Sequence, residues 1–355
     1  MTSIELPRRE LLAGGAALTL FGSSLAKGQA GAKFRIAIPA DFERLAQKAE
    51  WQKLGEDVEI VYFDRAFESE QATVEALKEF DALVLMRERT PLPGRVLAQL
   101  PRLKLIAFTG AFNHTLDHQA AQARGIVVCN GSFSFPPAQG RGTVAELAVA
   151  LMLACAYRVP QATVAIRQGE WGLVSRPLGG KTLGIAGYGR IGRQVGILGL
   201  ALGMKILGFG RSLTDEQARE DGVASVDLDR LMRESDVVSV HLPLTEETRG
   251  MIGAGRIEAM KPGAYLINTA RAHVVDEQSL IEALRSGRIG MGGFDVFYEE
   301  PLPAGHPFVS MSNVVMTPHM GYVTEEALLG MYNAQVDVID SFRRGVVIHR
   351  YVPEQ

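Results

Sequence analysis

Towards the end of this 355-residue chain, an arginine, a glutamate and a histidine stand in three short segments. The first reads Asn268-Thr-Ala-Arg271-Ala-His-Val-Val-Asp276, the second Asp295-Val-Phe-Tyr-Glu-Glu300-Pro301 and the third Thr317-Pro318-His319. Each follows a run that reads as a β-strand. Brought to one place, these residue types suit the reduction of a 2-oxo acid. The planar fork of Arg271 can hold a carboxylate and polarise the adjacent carbonyl. His319 can give that carbonyl a proton as a hydride arrives, and take it back in the reverse direction. Glu300 can pair with His319, orient it and favour its protonated form. Taken singly, each is ordinary: a histidine after proline is usually a loop residue, a Glu-Pro is usually a turn, and most arginines are solvated. Their order behind a nucleotide-binding turn is what gives them weight.

That turn is Lys181-Thr-Leu-Gly-Ile-Ala-Gly187-Tyr-Gly189-Arg-Ile-Gly192, a Gly-x-Gly-x-x-Gly between a strand pattern and a helical one. Gly187 makes the tight turn, Gly189 lets a pyrophosphate approach the backbone, and Gly192 lets helix pack on strand. Arg190 and Ile191 open the helix, whose free N–H groups and positive dipole end favour an anion. An acidic residue at the end of the next strand would hold the ribose of NAD. This chain has Gly208-Phe209-Gly210-Arg211-Ser212 instead. With no carboxylate there, and with Arg211 and Ser212 to meet a 2′-phosphate, the cofactor expected is NAD(P), with NADP modestly favoured over NAD.

The elements that must position these groups alternate. Strand runs are expected at Phe34–Ile38, Val58–Phe63, Ala82–Met86, Leu105–Phe108 and Ile126–Cys129, with helical stretches between them, among them Phe42–Leu54 and Glu68–Phe80. A second series follows at Thr182–Ala186, Lys205–Phe209, Val237–Leu242, Ala264–Asn268, Gly292–Val296 and Asn313–Met316. Gly142–Tyr157 is apolar nearly all round, as a helix buried at a domain or subunit interface would be. Thr324–Arg344 reads as one long final helix. The expected fold class is α/β, with two doubly wound parallel-sheet domains, one flavodoxin-like and one Rossmann, and an active-site cleft between them. The first domain takes residues 33–134 plus 323–355 and the second 135–322.

Composition narrows the class. Hydrophobic residues make up 47% and charged residues 22%, which excludes a disordered or fibrous chain. A net charge of −3 argues against a nucleic-acid partner. Two cysteines, Cys129 and Cys155, exclude a disulfide scaffold and a Cys-rich zinc module, and no metal is expected. No apolar run reaches the ~18 residues of a membrane span, so no membrane contact is expected of the mature form.

Residues 1–30 read differently. Arg8-Arg9 is followed by an uncharged Gly- and Ala-rich stretch from Leu11 to Ala26, then Lys27 and the small-residue Gly28-Gln29-Ala30. This is the order of an export signal, and the arginine pair resembles a twin-arginine one. A periplasmic or otherwise exported enzyme is therefore expected, with a cytoplasmic one as the alternative.

From Lys33 onwards, and most tightly over Gly142–Gly321, the chain resembles the D-isomer-specific 2-hydroxyacid dehydrogenase family. The resemblance rests on Val144-Ala145-Glu146, Trp171, the glycine turn, Asp236, His241-Leu-Pro243, Thr245, Thr248 and the three segments above. It implies that Arg271, Glu300 and His319 are the catalytic triad. Asp295 would hold the nicotinamide carboxamide, while His241, Pro243, Thr248, Thr269 and Ala270 would line the cofactor. Arg87 and the backbone around Gly110 and Ala111 would face the substrate carboxylate. The substrate implied is a small 2-oxo or D-2-hydroxy acid, handled as by a glyoxylate/hydroxypyruvate reductase, and the assembly implied is a homodimer. Two departures stand out: Ala272 where the family usually has Gly, and Tyr322, which could narrow the pocket. The alternatives are an NAD(P)-responsive corepressor-like binding protein, or a phosphite- or formate-type dehydrogenase of the same superfamily.

Overall fold

The computed structural model describes residues 33–110, 113–131 and 142–352. The export signal expected at residues 1–30 lies outside them, as does Ala111.

Two fully parallel sheets carry the chain. The first holds β1 (Phe34–Ile38), β2 (Val58–Tyr62), β3 (Ala82–Leu85), β4 (Leu105–Thr109) and β5 (Val127–Gly131), in the order β2-β1-β3-β4-β5. The second holds β6 (Thr182–Ala186), β7 (Lys205–Phe209), β8 (Ala224–Ser225), β9 (Val237–Val240), β10 (Ala264–Asn268), β11 (Ile289–Phe294) and β12 (Val314–Met316). Its order is β12-β11-β10-β9-β6-β7-β8. Strand order reverses between β6 and β9, and ligands of open α/β sheets bind in the crevice beyond such a switch point. The α/β class of two doubly wound parallel sheets is as the sequence predicts.

Strand residues alternate between two buried faces, as parallel sheets covered on both sides require. In β3, Ala82 and Val84 face one apolar cluster and Leu83 and Leu85 another. The first of these clusters is completed by Leu328, Tyr332 and Val336 of the last helix, Glu325–Arg343, which follows the second sheet in sequence but packs on β4 and β5. The helix Thr143–Tyr157 packs on β10, β11 and β12. It buries one face through Ala145, Ala148, Leu151, Met152, Cys155 and Ala156, while Tyr157 at its end is exposed.

The helix expected over Phe42–Leu54 is instead two short 3-10 turns, Ala46–Lys48 and Trp51–Leu54. The buried carboxylate of Asp41 accepts from the backbone N–H groups of Leu45 (3.2 Å) and Ala46 (3.1 Å), and Ala40 and Arg44 have positive φ. A side chain that takes backbone donors in this way competes with helix formation.

Candidate active site

The glycine turn is assembled from backbone. Gly187 has φ +106 and lies so close to β9 that a Cβ on it would come within 2.6 Å of the His241 carbonyl carbon. A Cβ on Gly192 would come within 2.2 Å of the Gly187 oxygen. Both positions therefore need glycine. Gly189 differs: a Cβ there meets nothing within 4 Å, so the space above it is open. Gly189 also caps the helix Arg190–Ala201 without any side-chain hydrogen bond, leaving the first-turn N–H groups available. Arg190 is exposed beside it, and Ile191 is half-buried against the helix core. Tyr188, inside the motif, is buried with its hydroxyl donating to Asp221 at 3.2 Å.

Across the crevice, His241 bonds Ser239 Oγ through Nε2 at 2.8 Å, and burial pushes its pKa down to about 4, so it is neutral. Thr248 Oγ1 donates to the Pro243 carbonyl at 2.6 Å and accepts from the Thr245 N–H at 2.7 Å, which fixes the loop after β9. Thr269 is buried, yet its hydroxyl has no partner among the described residues, and Ala270 follows it half-buried. An open glycine cradle at a helix N-terminus, a neutral imidazole and an orphaned buried hydroxyl fit a dinucleotide. Arg211 and Ser212 are exposed at the end of β7, with Glu247 close enough to feel the Arg211 charge.

The catalytic candidates sit on loops that follow β10, β11 and β12. His319 Nδ1 and Glu300 Oε2 are 2.7 Å apart. Burial works to raise the pKa of Glu300. The bond to His319, the His319 charge, the Phe297 N–H at 2.8 Å and the nearby Arg271 outweigh it and hold the carboxyl below its ordinary range. His319 has φ +52, a sparsely populated conformation for a residue with a Cβ. Asp295 holds it there: its carboxylate accepts from Thr317 Oγ1 (2.6 Å), Met320 N (2.8 Å) and Gly321 N (2.9 Å). The residue expected to meet the nicotinamide thus also braces the histidine loop. Burial raises its pKa, against the pull of those three bonds.

Arg271 opens a one-turn segment after β10, its Nη1 donating to the Ala270 carbonyl at 2.7 Å. The buried Asn268 clamps that loop, accepting from Ala270 N at 2.9 Å and donating to the Arg271 carbonyl at 3.0 Å. Tyr298 ties the arginine loop to the glutamate loop, donating to the Val275 carbonyl at 2.9 Å. Asn268 and Tyr298 were visible in the sequence only as members of their segments; nothing in residue type or spacing singles them out as braces.

From the first sheet, Arg87 follows β3 with φ +55 and leans over Gly110, where a Cβ would fall 2.5 Å from its Nη1. Burial, with the neighbouring charge of Arg271, lowers its pKa. Arg87 of the first sheet thus lies close enough to Arg271 of the second to feel its charge, and the two share one cleft.

The model of the D-isomer specific 2-hydroxyacid dehydrogenase NAD-binding domain matches residues 149–321. A glyoxylate reductase from Korarchaeum cryptofilum is 36% identical over 303 residues, covering 83% of this chain and 90% of its own. The chain belongs to the D-isomer-specific 2-hydroxyacid dehydrogenase family. Solved structures agree. A phosphoglycerate oxidoreductase from Vibrio cholerae superposes with TM-score 0.81 at 32% identity, over 88% of this chain and 100% of its own. A D-lactate dehydrogenase from Aquifex aeolicus, complexed with NAD and lactic acid, has TM-score 0.69 at 29% identity over 88% and 96%. The chain spans about half the length of the archaeal D-3-phosphoglycerate dehydrogenases it matches. The family's NAD-binding domain is therefore the segment that carries the glycine turn, Arg271, Glu300 and His319.

Proposed function

We propose that this chain reduces a small 2-oxo acid to the D-2-hydroxy acid with NAD(P)H, in the manner of a glyoxylate or hydroxypyruvate reductase. The observation that carries this reading is the 2.7 Å pair of His319 and Glu300, which shares one cleft with Arg271. Arg271 holds the substrate carboxylate and polarises the carbonyl. His319 gives its proton to the carbonyl oxygen, and the charged Glu300 supports the imidazolium before transfer. Gly187, Gly189 and Gly192 with the first turn of the following helix hold the pyrophosphate, and Thr269 and His241 border the rest of the dinucleotide. The bound dinucleotide supplies the hydride. Arg87 and the Gly110 backbone complete the carboxylate site. Steady-state assays with glyoxylate, hydroxypyruvate, pyruvate and phenylpyruvate, using NADH and NADPH, test it. Absence of turnover with every pair would leave an NAD(P)-responsive binding protein as the better reading.

Three further points belong to the same reading. The cofactor is NADPH by about tenfold over NADH, supported by Arg211 and by the missing acid after β7, with Glu247 keeping the margin small. Two copies associate through the apolar strip that leaves the helix Thr143–Tyr157: Val159, Val164, Ile166 and Val174 are each more than half exposed, and Trp171 is 92% exposed. Light scattering of the chain and of Trp171→Ala checks that. Residues 1–30 direct export through the Arg8-Arg9 pair; a reporter active only outside the cytoplasm, fused to residues 1–35 with and without Arg8→Lys and Arg9→Lys, checks that in turn.

A further inference from the structure

Beyond the last helix, residues 349–351 return to the first sheet and lie along the edge of β5. Asn130 N donates to the His349 carbonyl at 3.0 Å and Tyr351 N to the Val128 carbonyl at 2.9 Å, with Cys129 and Arg350 paired antiparallel between them. A cavity of about 270 Å³ opens there, walled by His118 and Gln122 of the short helix His118–Ala123, by Ile126 and Val128, and by Arg350 and Tyr351. No residue of the catalytic cleft lines it. It is smaller than the ~300–1,000 Å³ of ordinary cofactor and drug pockets, so its ligand is small.

The chemistry of the wall is set by His118. Its Nε2 lies 3.0 Å from the carbonyl oxygen of the buried Asn113. A carbonyl only accepts, so Nε2 carries the ring proton. Nδ1 is buried and has no hydrogen-bond partner among the described residues, so in the neutral ring it is a lone pair that lacks a donor. The ring is packed in place: Tyr351 lies against it with centroids 4.5 Å apart, and Phe108 meets His118 and Tyr351 edge-on at 6.1 Å and 5.3 Å. The other polar groups of the wall are donors of the opposite need. Arg350 is exposed, has only N–H groups to offer, and pairs with no carboxylate among the described residues. Gln122 adds an amide. An acceptor without a donor and a cation without an anion thus border one small space floored by Ile126, Val128 and Tyr351.

We propose that this cavity is a second ligand site, for a small hydroxycarboxylate: its hydroxyl donates to His118 Nδ1, its carboxylate meets Arg350 and Gln122, and its short hydrocarbon part lies on the apolar floor. The site uses no catalytic residue, and binding there needs no turnover.

The experiment titrates the full chain, with its histidines labelled for NMR, using 3-hydroxybutyrate, which is not a 2-oxo or 2-hydroxy acid. The His118 ring signals are identified by their loss in His118→Gln. They should move with a Kd of ~1 mM, the scale for so few non-hydrogen atoms. Butyrate, which lacks the hydroxyl, should bind ~2–10-fold more weakly, the effect of one hydrogen bond. Arg350→Met, with its melting temperature as the folding control, should weaken 3-hydroxybutyrate by roughly tenfold, the loss of a charge-assisted bond at a partly exposed site. The butyrate comparison needs no variant and keeps the test decisive if Arg350→Met does not fold. His118 signals that stay fixed at concentrations far above that Kd overturn the site. Butyrate binding as tightly as 3-hydroxybutyrate overturns the hydroxyl assignment, and unchanged affinity in a folded Arg350→Met overturns the carboxylate assignment. Movement of the His319 signals instead of those of His118 would place the acid in the catalytic cleft and remove the second site.

Discussion

The two halves of the site are built from different materials. The cofactor crevice at β6 and β9 is made of backbone. Gly187 and Gly192 are there because a Cβ would strike main-chain atoms, and Gly189 because the open space above it must stay open. The reacting end is made of side chains held by other side chains: His319 by Glu300, its loop by Asp295, and the Arg271 loop by Asn268. A backbone site imposes residue type at fixed spacing. A side-chain site leaves its supports free to come from anywhere in the fold.

The sharpest way to separate the halves is His319→Gln. On the proposed mechanism it removes the proton donor and leaves the crevice intact, so kcat for reduction should fall by ~10²–10⁴ while cofactor affinity by fluorescence titration stays unchanged. A parallel loss of cofactor binding would show that the two halves are not independent.

Next in size is a pair of glycine substitutions. Gly192→Ala drives a methyl into the Gly187 carbonyl oxygen, 2.2 Å away, so the turn must move; stability should drop by about 1–3 kcal/mol, together with dinucleotide affinity. Gly189→Ala meets nothing within 4 Å, so its melting temperature should match that of the unaltered chain while dinucleotide affinity falls by roughly tenfold or more. Equal melting temperatures for both variants would contradict the packing described for Gly192.

Glu300→Gln sharpens the description of the reacting end. The Glu300 carboxyl is held below its ordinary range, so it is charged throughout the neutral region. Removing that charge weakens the hold on the imidazolium proton. Reduction needs protonated His319 and should lose activity at a lower pH than in the unaltered chain. Oxidation needs the neutral ring and should gain activity at a lower pH. Both limbs of the kcat/KM profiles move in the same, acid, direction; a shift towards alkaline pH would remove Glu300 from the proposed role.

The smallest effect is expected from Arg211→Ala. It should erase a roughly tenfold NADPH preference and leave kcat/KM with NADH within about twofold. An unchanged preference would make Arg211 a solvated loop residue.

Much of this arrangement could be read before the fold was known. Strands β1, β6, β7 and β10 lie where alternation and β-branched content place them, because buried parallel strands leave that mark. The glycine turn was legible because its glycines answer to local sterics. The region 42–54 was misread as a helix because its turns are set by one carboxylate, that of Asp41, taking the Leu45 and Ala46 donors. The start of β11 was placed late because Gly290, Gly292 and Gly293 weaken any strand signal. Gly290 is required there by the Gly263 oxygen, 2.7 Å from where its Cβ would be, a contact between residues 27 positions apart. The braces Asn268, Asp295 and Tyr298 act on partners that only the folded loops bring near, so their tasks are absent from any local pattern.

The chain crosses between its sheets twice, once after β5 and once after β12, where His319 and Tyr322 lie before the last helix returns to the first sheet. The second crossing is short in sequence and dense in chemistry: His319, bonded to Glu300 of the second sheet's loops, stands three residues before Tyr322, whose ring meets Arg87 of the first sheet. Four consecutive residues of chain therefore tie the proton donor to the arginine that the other sheet contributes.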